Sequence, residues 1–479
     1  MIRTTPEELA RVTGAELLCA GTRGIEGEVV VDSRRASEGS LFVAFAGERV
    51  DGNSFLAAAA ETGAAAVALS AEPDAAQLDR ARELGCTVVR AEGDDCEEFL
   101  LRLAAERRRR HPDWLVVGVT GSVGKTTTKN MLAAGIATGR RVFATSGNFN
   151  NLIGMPLTVL SAPDDAEVLV IEMGMNHPHE IDRMAAAARP TLAVITNVGT
   201  SHIGLLGSRE NIARAKAEIV SGMAASCGVE PCLALTSSGD YTSYIADRYA
   251  RPAGVSTLLV GEGPHDAVRA EDVTLGDDGR PSLSVAFADG LSHRVTLSVP
   301  GRQAVPDFLL AMAVVWQLGL DRAQAADAIA TMPATHMRLN VLPTHSGARV
   351  IDDSYNASPS SMAAALDVLC EMGCDGRRVA VLGEMGELGA EERRLHGYVG
   401  AYAAAKPIDM LVLIGGDLAA EMGEAARTMG YSEDRIEAFP DVASALSALG
   451  PVIARGDLVL VKASRSSGLD AFVRGVVSR

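Results

Sequence analysis

LVVGVTGSVGKTTTKN, residues 115–130, decides the fold. Its first five residues are apolar without a break, as expected of a strand buried on both faces of a parallel sheet. The helical stretch KNMLAAGIA (129–137) follows, so a glycine-rich turn joins a strand to a helix. Gly121 and Gly124 let the backbone curl around a phosphate. The N–H groups of Thr120 through Thr127, with the start of the new helix, supply positive potential. Lys125 can reach the outer phosphates of a nucleoside triphosphate, and the Thr126 hydroxyl can hold Mg²⁺. The pattern is T-G-x-x-G-K-T, with Val119 where the commoner phosphate loop has a glycine six residues before the lysine. Thr120, Gly121, Ser122, Val123, Gly124, Lys125, Thr126 and Thr127 are therefore expected to bind ATP.

Two more apolar runs lie outward from this loop, VLVIEM (168–173) and LAVITNV (192–198). Glu172 closes the first, where its side chain emerges at the carboxyl edge of the sheet, the usual ligand side of open α/β folds. It is the expected acidic partner of the metal. His202 lies just past the second run, in position for metal or substrate. Lys216, in ENIARAKAEIV, falls on a predicted helix, where a surface lysine is the default reading. Between 256 and 300 the sequence predicts an antiparallel hairpin turning at Asp289-Gly290. Before the loop, β-rich runs alternate with Ala-rich helices up to Arg107-Arg108-Arg109-Arg110, read as the basic last turn of a helix at a domain boundary. After about 334 the β/α rhythm returns in ARVIDDS, RVAVLGE, MLVLIGG and DLVLVKAS. The expected domains are 1–108, 109–333 and 334–479.

Composition limits the choice of function. A chain of 479 residues exceeds what one core normally serves. A formal net charge of −17 argues against a nucleic-acid partner, which needs a basic footprint. The seven cysteines have neither zinc-knuckle spacing nor an even count, so reduced thiols and a cytoplasmic location are expected. The opening MIRTTPEELARVTG is not a charged-then-apolar leader, and no apolar run is long enough to insert in a membrane.

The nucleotide loop is one of nine segments that, in order, resemble the Mur ligase family. They are V-D-S-R with L-F-V-A-F-A-G-E-R-V-D-G-N-S-F (31–55), G-V-T-G-S-V-G-K-T-T, G-N-F-N-N-L-I-G-M-P (147–156) and V-I-E-M-G-M-N-H (170–177). N-V-G-T-S-H (197–202), R-A-K-A-E-I-V (214–220), D-D-S-Y-N-A-S-P (352–359), G-E-M-G-E-L-G (383–389) and V-K-A-S-R (461–465) complete the series. The resemblance implies an α/β fold of three domains. These are a smaller N-terminal α/β domain for a UDP-linked substrate, a central phosphate-loop domain with a parallel sheet covered on both faces, and a C-terminal Rossmann-like lid that holds the amine.

The resemblance also implies an ATP-dependent amide ligase working through an acyl phosphate, with UDP-N-acetylmuramoyl-tripeptide and D-alanyl-D-alanine as substrates and a monomeric enzyme. It gives Lys216 a carbamate that holds a second Mg²⁺ with Glu172 and His202. It puts Ser33 and Arg34 at the uridine diphosphate, and Asn148, Asn150, Asn151 and Asn356 near substrate. Arg338 and Asp353 would meet the γ-phosphate and ribose of ATP, with Tyr355 beside them. Lys125, His202, Lys216 and Arg338 would be the catalytic group. Where the family has G-x-H-N-x-x-N, this chain has Gly301-Arg-Gln-Ala-Val-Pro-Asp307, leaving Asp307 to accept from the adenine amine. Three other readings compete: a folylpolyglutamate-type or other amide ligase, a non-catalytic nucleotide-binding regulator, and an NAD-dependent oxidoreductase suggested by VLGEMGELG (381–389). A folylpolyglutamate synthase lacks a first domain carrying the D-S-R segment. The second does not need Lys125, Glu172, His202 and Lys216 together. The third lacks the G-x-G-x-x-G spacing.

Overall fold

The run at 115–119 forms the strand Leu115–Thr120, fully buried and flanked in parallel by Val168–Glu172 on one side and Leu192–Ile195 on the other. A computed structural model describes residues 2–47 and 50–478. Glu48 and Arg49, inside the 31–55 motif, lie outside the described residues. Among the described residues the strands make three sheets, of five, nine and six strands in chain order.

The nine-stranded sheet carries the phosphate loop. Its order runs from Ser292–Thr296 through Pro281–Phe287, Val268–Leu275, Ser256–Gly261, Cys232–Thr236, Leu192–Ile195, Leu115–Thr120 and Val168–Glu172 to Val142–Ala144. Pairing is parallel from Val142–Ala144 as far as Val268–Leu275 and antiparallel over the last two pairs. The expected hairpin therefore exists, turning through Gly290 at φ 90°. It extends the central sheet rather than standing apart. Helices Lys125–Ile136 and Ala304–Gln317 pack on one face, where Phe308, Leu309, Leu310 and Met312 join Val117, Val119 and Val194 in one core. Each such side chain contributes about 1.5–3 kcal/mol by leaving water.

LAVITNV forms a shorter strand than its apolar length predicts, ending at Ile195. At Thr196 the chain turns to wrap the phosphate loop: Thr196 N–H donates to Thr120 O, and Asn197 O accepts from Ser122 N–H. Loop bonding takes over where ladder bonding stops.

The arginine run ends the helix Cys96–Arg110, so position 108 falls in that helix's last turn. Arg107 and Arg108 are buried, not solvated. Arg107 reaches Ala162 O and the carboxylate of Asp164, with its guanidinium 5.3 Å from the Trp114 ring centroid. Arg108 donates to His111 O at 2.6 Å. This helix bears on both the first sheet and helices Gly154–Ser161 and Glu180–Ala188, so one apolar core runs from Leu9 and Leu41 to Met155 and Ile181.

The six-stranded sheet has the order Asn340–Pro343, Arg349–Asp352, Leu458–Lys462, Arg378–Gly383, Met410–Ile414, Ile436–Phe439, with only the first pair antiparallel. In the N-terminal sheet only Glu16–Cys19 runs antiparallel to its neighbour.

Candidate functional site

The phosphate loop is held open by its neighbours. Gly121 lies at φ 147°, and a Cβ there would sit 1.8 Å from the Thr196 hydroxyl, so no other residue fits. Val123 N–H donates to Asn197 Oδ1 at 3.1 Å, Gly199 N–H to Ser122 Oγ at 2.8 Å, and the Thr196 hydroxyl to Val123 O. Gly124, at φ 87°, starts the helix Lys125–Ile136 with its first N–H groups facing the loop. Asp307 packs directly against it: a Cβ on Gly124 would lie 2.5 Å from Asp307 Oδ1. Burial pushes the Asp307 carboxyl up to about 8, opposed only by the Thr128 hydroxyl. The expected adenine acceptor thus sits beneath the phosphate loop and is mostly protonated at neutral pH.

Lys125 folds back on the loop, donating to Gly121 O at 2.8 Å and Ser122 O at 3.4 Å. Burial lowers its pKa, and Glu172 counters that. The Thr126 hydroxyl donates to Glu172 Oε2 at 3.1 Å, and Asn150 Nδ2 donates to Glu172 Oε1 at 2.8 Å. Glu172 is therefore at the loop's mouth, as its strand-end position predicts. Asn151 Oδ1 accepts from the Gly154 N–H at 2.8 Å and so begins the next helix, while Asn148 stands exposed.

His202 starts a short helix, Ile203–Leu206, at φ 64°, and its Nδ1 lies 2.7 Å from Glu387 Oε2. Lys216 is the departure from the surface default, being 2% exposed. Burial, then the charge of Lys125, holds its amine well below the usual lysine range. No carboxylate pairs with it among the described residues. A buried amine biased to the neutral form suits reaction with CO₂ and disfavours a permanent ammonium. Among the described residues no three His, Cys, Asp or Glu side chains converge as a ready-made metal cage. Metal at Thr126, Glu172 and His202 would need further oxygens, which a carbamate on Lys216 and the phosphates of a nucleotide would provide.

From the third sheet, the Arg338 guanidinium stacks 4.3 Å from the Tyr355 ring centroid. Arg338 lines a cavity of about 290 Å³ with Thr127, Asp278, Arg280, Leu339 and Asn340, joining the loop's helix to the third block. Asp353 accepts from Lys462 Nζ at 2.6 Å and from Leu339 N–H at 3.2 Å. Lys462 also donates to Asn356 O at 2.9 Å. Ser33 and Arg34 lie on a single 3₁₀ turn in the first block, begun by the Asp32 carboxylate, which the Arg34 side chain holds below its usual range. Reading by motif missed Asn197, Lys462 and Glu387 as individual residues. Lys462 stood in V-K-A-S-R and Glu387 in G-E-M-G-E-L-G, but neither segment said which side chain would turn inward.

Three family models match in sequence. The Mur ligase family catalytic domain covers residues 28–108, the Mur ligase middle domain 119–315, and the Mur ligase glutamate ligase domain 337–465. The UDP-N-acetylmuramoyl-tripeptide–D-alanyl-D-alanine ligase of Bacillus subtilis is 35% identical over 94% of this chain and 93% of its own. A crystal structure of MurF from Acinetobacter baumannii superimposes with a TM-score of 0.87 at 27% identity, covering 100% of this chain and 99% of that one. MurF ligase from Thermotoga maritima, solved in complex with ADP, gives 0.78 at 27% identity over 94% and 96%.

Proposed function

The chain belongs to the Mur ligase family, and on that premise we propose that it joins D-alanyl-D-alanine to UDP-N-acetylmuramoyl-tripeptide with cleavage of ATP, in peptidoglycan precursor synthesis. The observation that carries the reading is the mouth of the phosphate loop. There the Thr126 hydroxyl and the Glu172 carboxylate meet within 3.1 Å, beside a buried lysine with no anionic partner among the described residues. Three blocks divide the work in this reading: 1–108 takes the UDP-substrate, 109–333 the ATP, and 334–479 the amine. The reaction is assigned to the cytoplasm and to a monomer. No helix among the described residues is long and apolar enough to cross a membrane.

A carboxylate is a poor electrophile, because it is anionic and oxide does not leave. In the first step a tripeptide carboxylate oxygen attacks the γ-phosphorus, the β–γ bridging bond breaks, and ADP departs. This transfer needs positioning and charge neutralisation rather than covalent chemistry from the protein. Lys125 leaves the Gly121 and Ser122 carbonyls to hold the phosphates, which are also met by the loop N–H groups. Arg338, braced on Tyr355, reaches the γ-phosphate from the opposite block. Mg²⁺, which Thr126 and Glu172 would hold, with a second ion on His202 and carbamylated Lys216, would supply further neutralising charge. In the second step the dipeptide nitrogen, after losing a proton, attacks the acyl carbon. The bond to phosphate breaks, inorganic phosphate leaves, and the nitrogen gives up its remaining extra proton to water. Closure of the third block keeps water from the acyl phosphate.

Phosphate release measured with ATP, Mg²⁺, UDP-N-acetylmuramoyl-tripeptide and D-alanyl-D-alanine, each omitted in turn, tests this. Release that needs both organic substrates is expected. Turnover with single amino acids and none with the dipeptide would overturn the substrate assignment.

A further inference from the structure

The geometry points to Glu387 as the group that receives the positively charged end of the incoming amine, at the line where the third block meets His202. The assignment rests on the ligase reading above and deepens it.

The segment after strand Arg378–Gly383 is anchored along its whole length. Met385 N–H donates to His396 Nε2 at 2.9 Å. His396 is completely buried, and its Nδ1 lies 2.7 Å from Glu392 O, which places the ring proton on Nδ1 and leaves Nε2 as the acceptor. Gly386 N–H donates to Ser464 Oγ at 2.7 Å, and Glu387 O accepts from Gly204 N–H at 3.2 Å. Glu384 is spent on the Gly416 N–H at the start of the next helix. Glu387 itself is held at φ 63°, a left-handed conformation that a residue with a Cβ adopts only at a cost.

That conformation directs the Glu387 side chain out of its own domain and onto His202, with Oε2 2.7 Å from Nδ1. Neither carboxylate oxygen accepts a hydrogen bond among the described residues, Oε2 making only its ion-pair approach to His202, and the side chain keeps 51% of its surface open. A simple clasp between domains needs neither a second free oxygen nor a full charge. The surrounding charges sharpen the assignment. Lys125 and Arg338 are cationic, and Glu172 is taken by Thr126 and Asn150. An amine arrives from water as an ammonium ion and must shed its solvent among these cations, so it needs an anion with an unfilled acceptor. Glu387 supplies that anion on the block assigned to the amine, facing the block that builds the acyl phosphate.

Glu387→Gln separates the two roles, since the amide keeps the shape and a polar oxygen beside His202 while the charge is gone. With the full-length protein and Mg²⁺, the KM for D-alanyl-D-alanine is expected to rise about tenfold or more, the loss typical of a charge-assisted hydrogen bond. The KM values for ATP and the UDP-substrate should stay within about twofold. Propionyl-D-alanine, which lacks the amino group, should inhibit wild type and variant equally. Glu387→Asp should recover part of the lost affinity. An unchanged dipeptide KM in Glu387→Gln, with normal turnover, overturns the assignment alone and leaves the ligase reading standing. So does a rise shared equally by ATP, which is the mark of a clasp. Wild-type protein that releases no phosphate with this substrate set overturns both.

Discussion

Lys216 carries a heavy burden at the scale of single residues. A lysine at 2% exposure without an anion is costly unless its chemistry changes. Carbamylation would join the neutral amine to CO₂, release one proton and leave an anionic oxygen donor in its place. Lys216→Ala should lower kcat by about 100-fold or more, the scale of losing an electrostatic group at a phosphoryl-transfer site. Acetate or another short carboxylic acid should restore part of it; full activity in the variant without any added acid would remove the carbamate from the account. Asp307 yields a prediction on stability. Burial pushes its carboxyl from the ordinary 3.8 up to about 8 in the folded protein. The unfolded chain therefore releases this proton first, and the group costs stability increasingly as pH rises from about 4 to about 8, with no further change above. Asp307→Asn removes that cost, so the Tm advantage of the variant over wild type should widen between pH 5 and pH 8. A gap that stays constant or narrows across that interval would show that burial is not what shifts the group. The resemblance implied a carbamate on Lys216 and an adenine contact for Asp307, but the burial of neither side chain was visible in the sequence.

Among elements, the sequence was most informative where periodicity or turn chemistry acts locally. LVVGV, VLVIE and RVAVLG form the strands their unbroken apolar runs predict. LAVITNV falls short because the Thr196 hydroxyl and the Asn197 side chain turn to Val123 in the phosphate loop once the Thr196 N–H has closed the ladder on Thr120. The four arginines end a helix as a basic last turn should, yet two of them are buried, since the next block covers that turn. The loop 384–389 shows the same dependence on neighbours. His396 is fully buried and has two structural bonds, its Nδ1 proton given to Glu392 O and its Nε2 accepting from the Met385 N–H. His396→Leu leaves that donor unpaired and should cost about 1–3 kcal/mol, measurable as a lower urea midpoint. Faster amide exchange confined to residues 384–389 should accompany it; a midpoint equal to wild type would mean water replaces the ring without loss.

The whole molecule adds the meeting of middle and third blocks. Gly204 touches the backbone of Gly389 so closely that a Cβ would lie 2.5 Å from Gly389 N, and Ile203 packs into the third block's core. Gly373 N–H donates to Asp277 O at 2.8 Å, and Asn130 Nδ2 to Thr335 Oγ1 at 2.9 Å. These contacts bring Arg338 to the cavity that Thr127 also lines. Gly204→Val should hold the blocks apart, since backbone cannot yield as a flexible side chain does. Turnover is expected to drop about 100-fold, the penalty for displacing reacting groups by about 1 Å. The nucleotide affinity of the phosphate loop itself should change little, and X-ray scattering should show a larger radius of gyration with substrates present. Undiminished turnover would mean that closure does not pass through this contact.

By itself the chain's sequence determined the phosphate loop, the strands around it, the three-block α/β layout and the family, because each is written in short-range patterns: unbroken apolar runs, glycines at a turn, and motifs in fixed order. Tertiary structure alone decided that Lys216 is buried without an anion, that Asp307 lies under Gly124, that Lys462 holds Asp353, and that Glu387 meets His202. Each of those depends on which side chains from distant segments share one low-dielectric space, and burial and charge pairing across such distances leave no periodic trace in the chain.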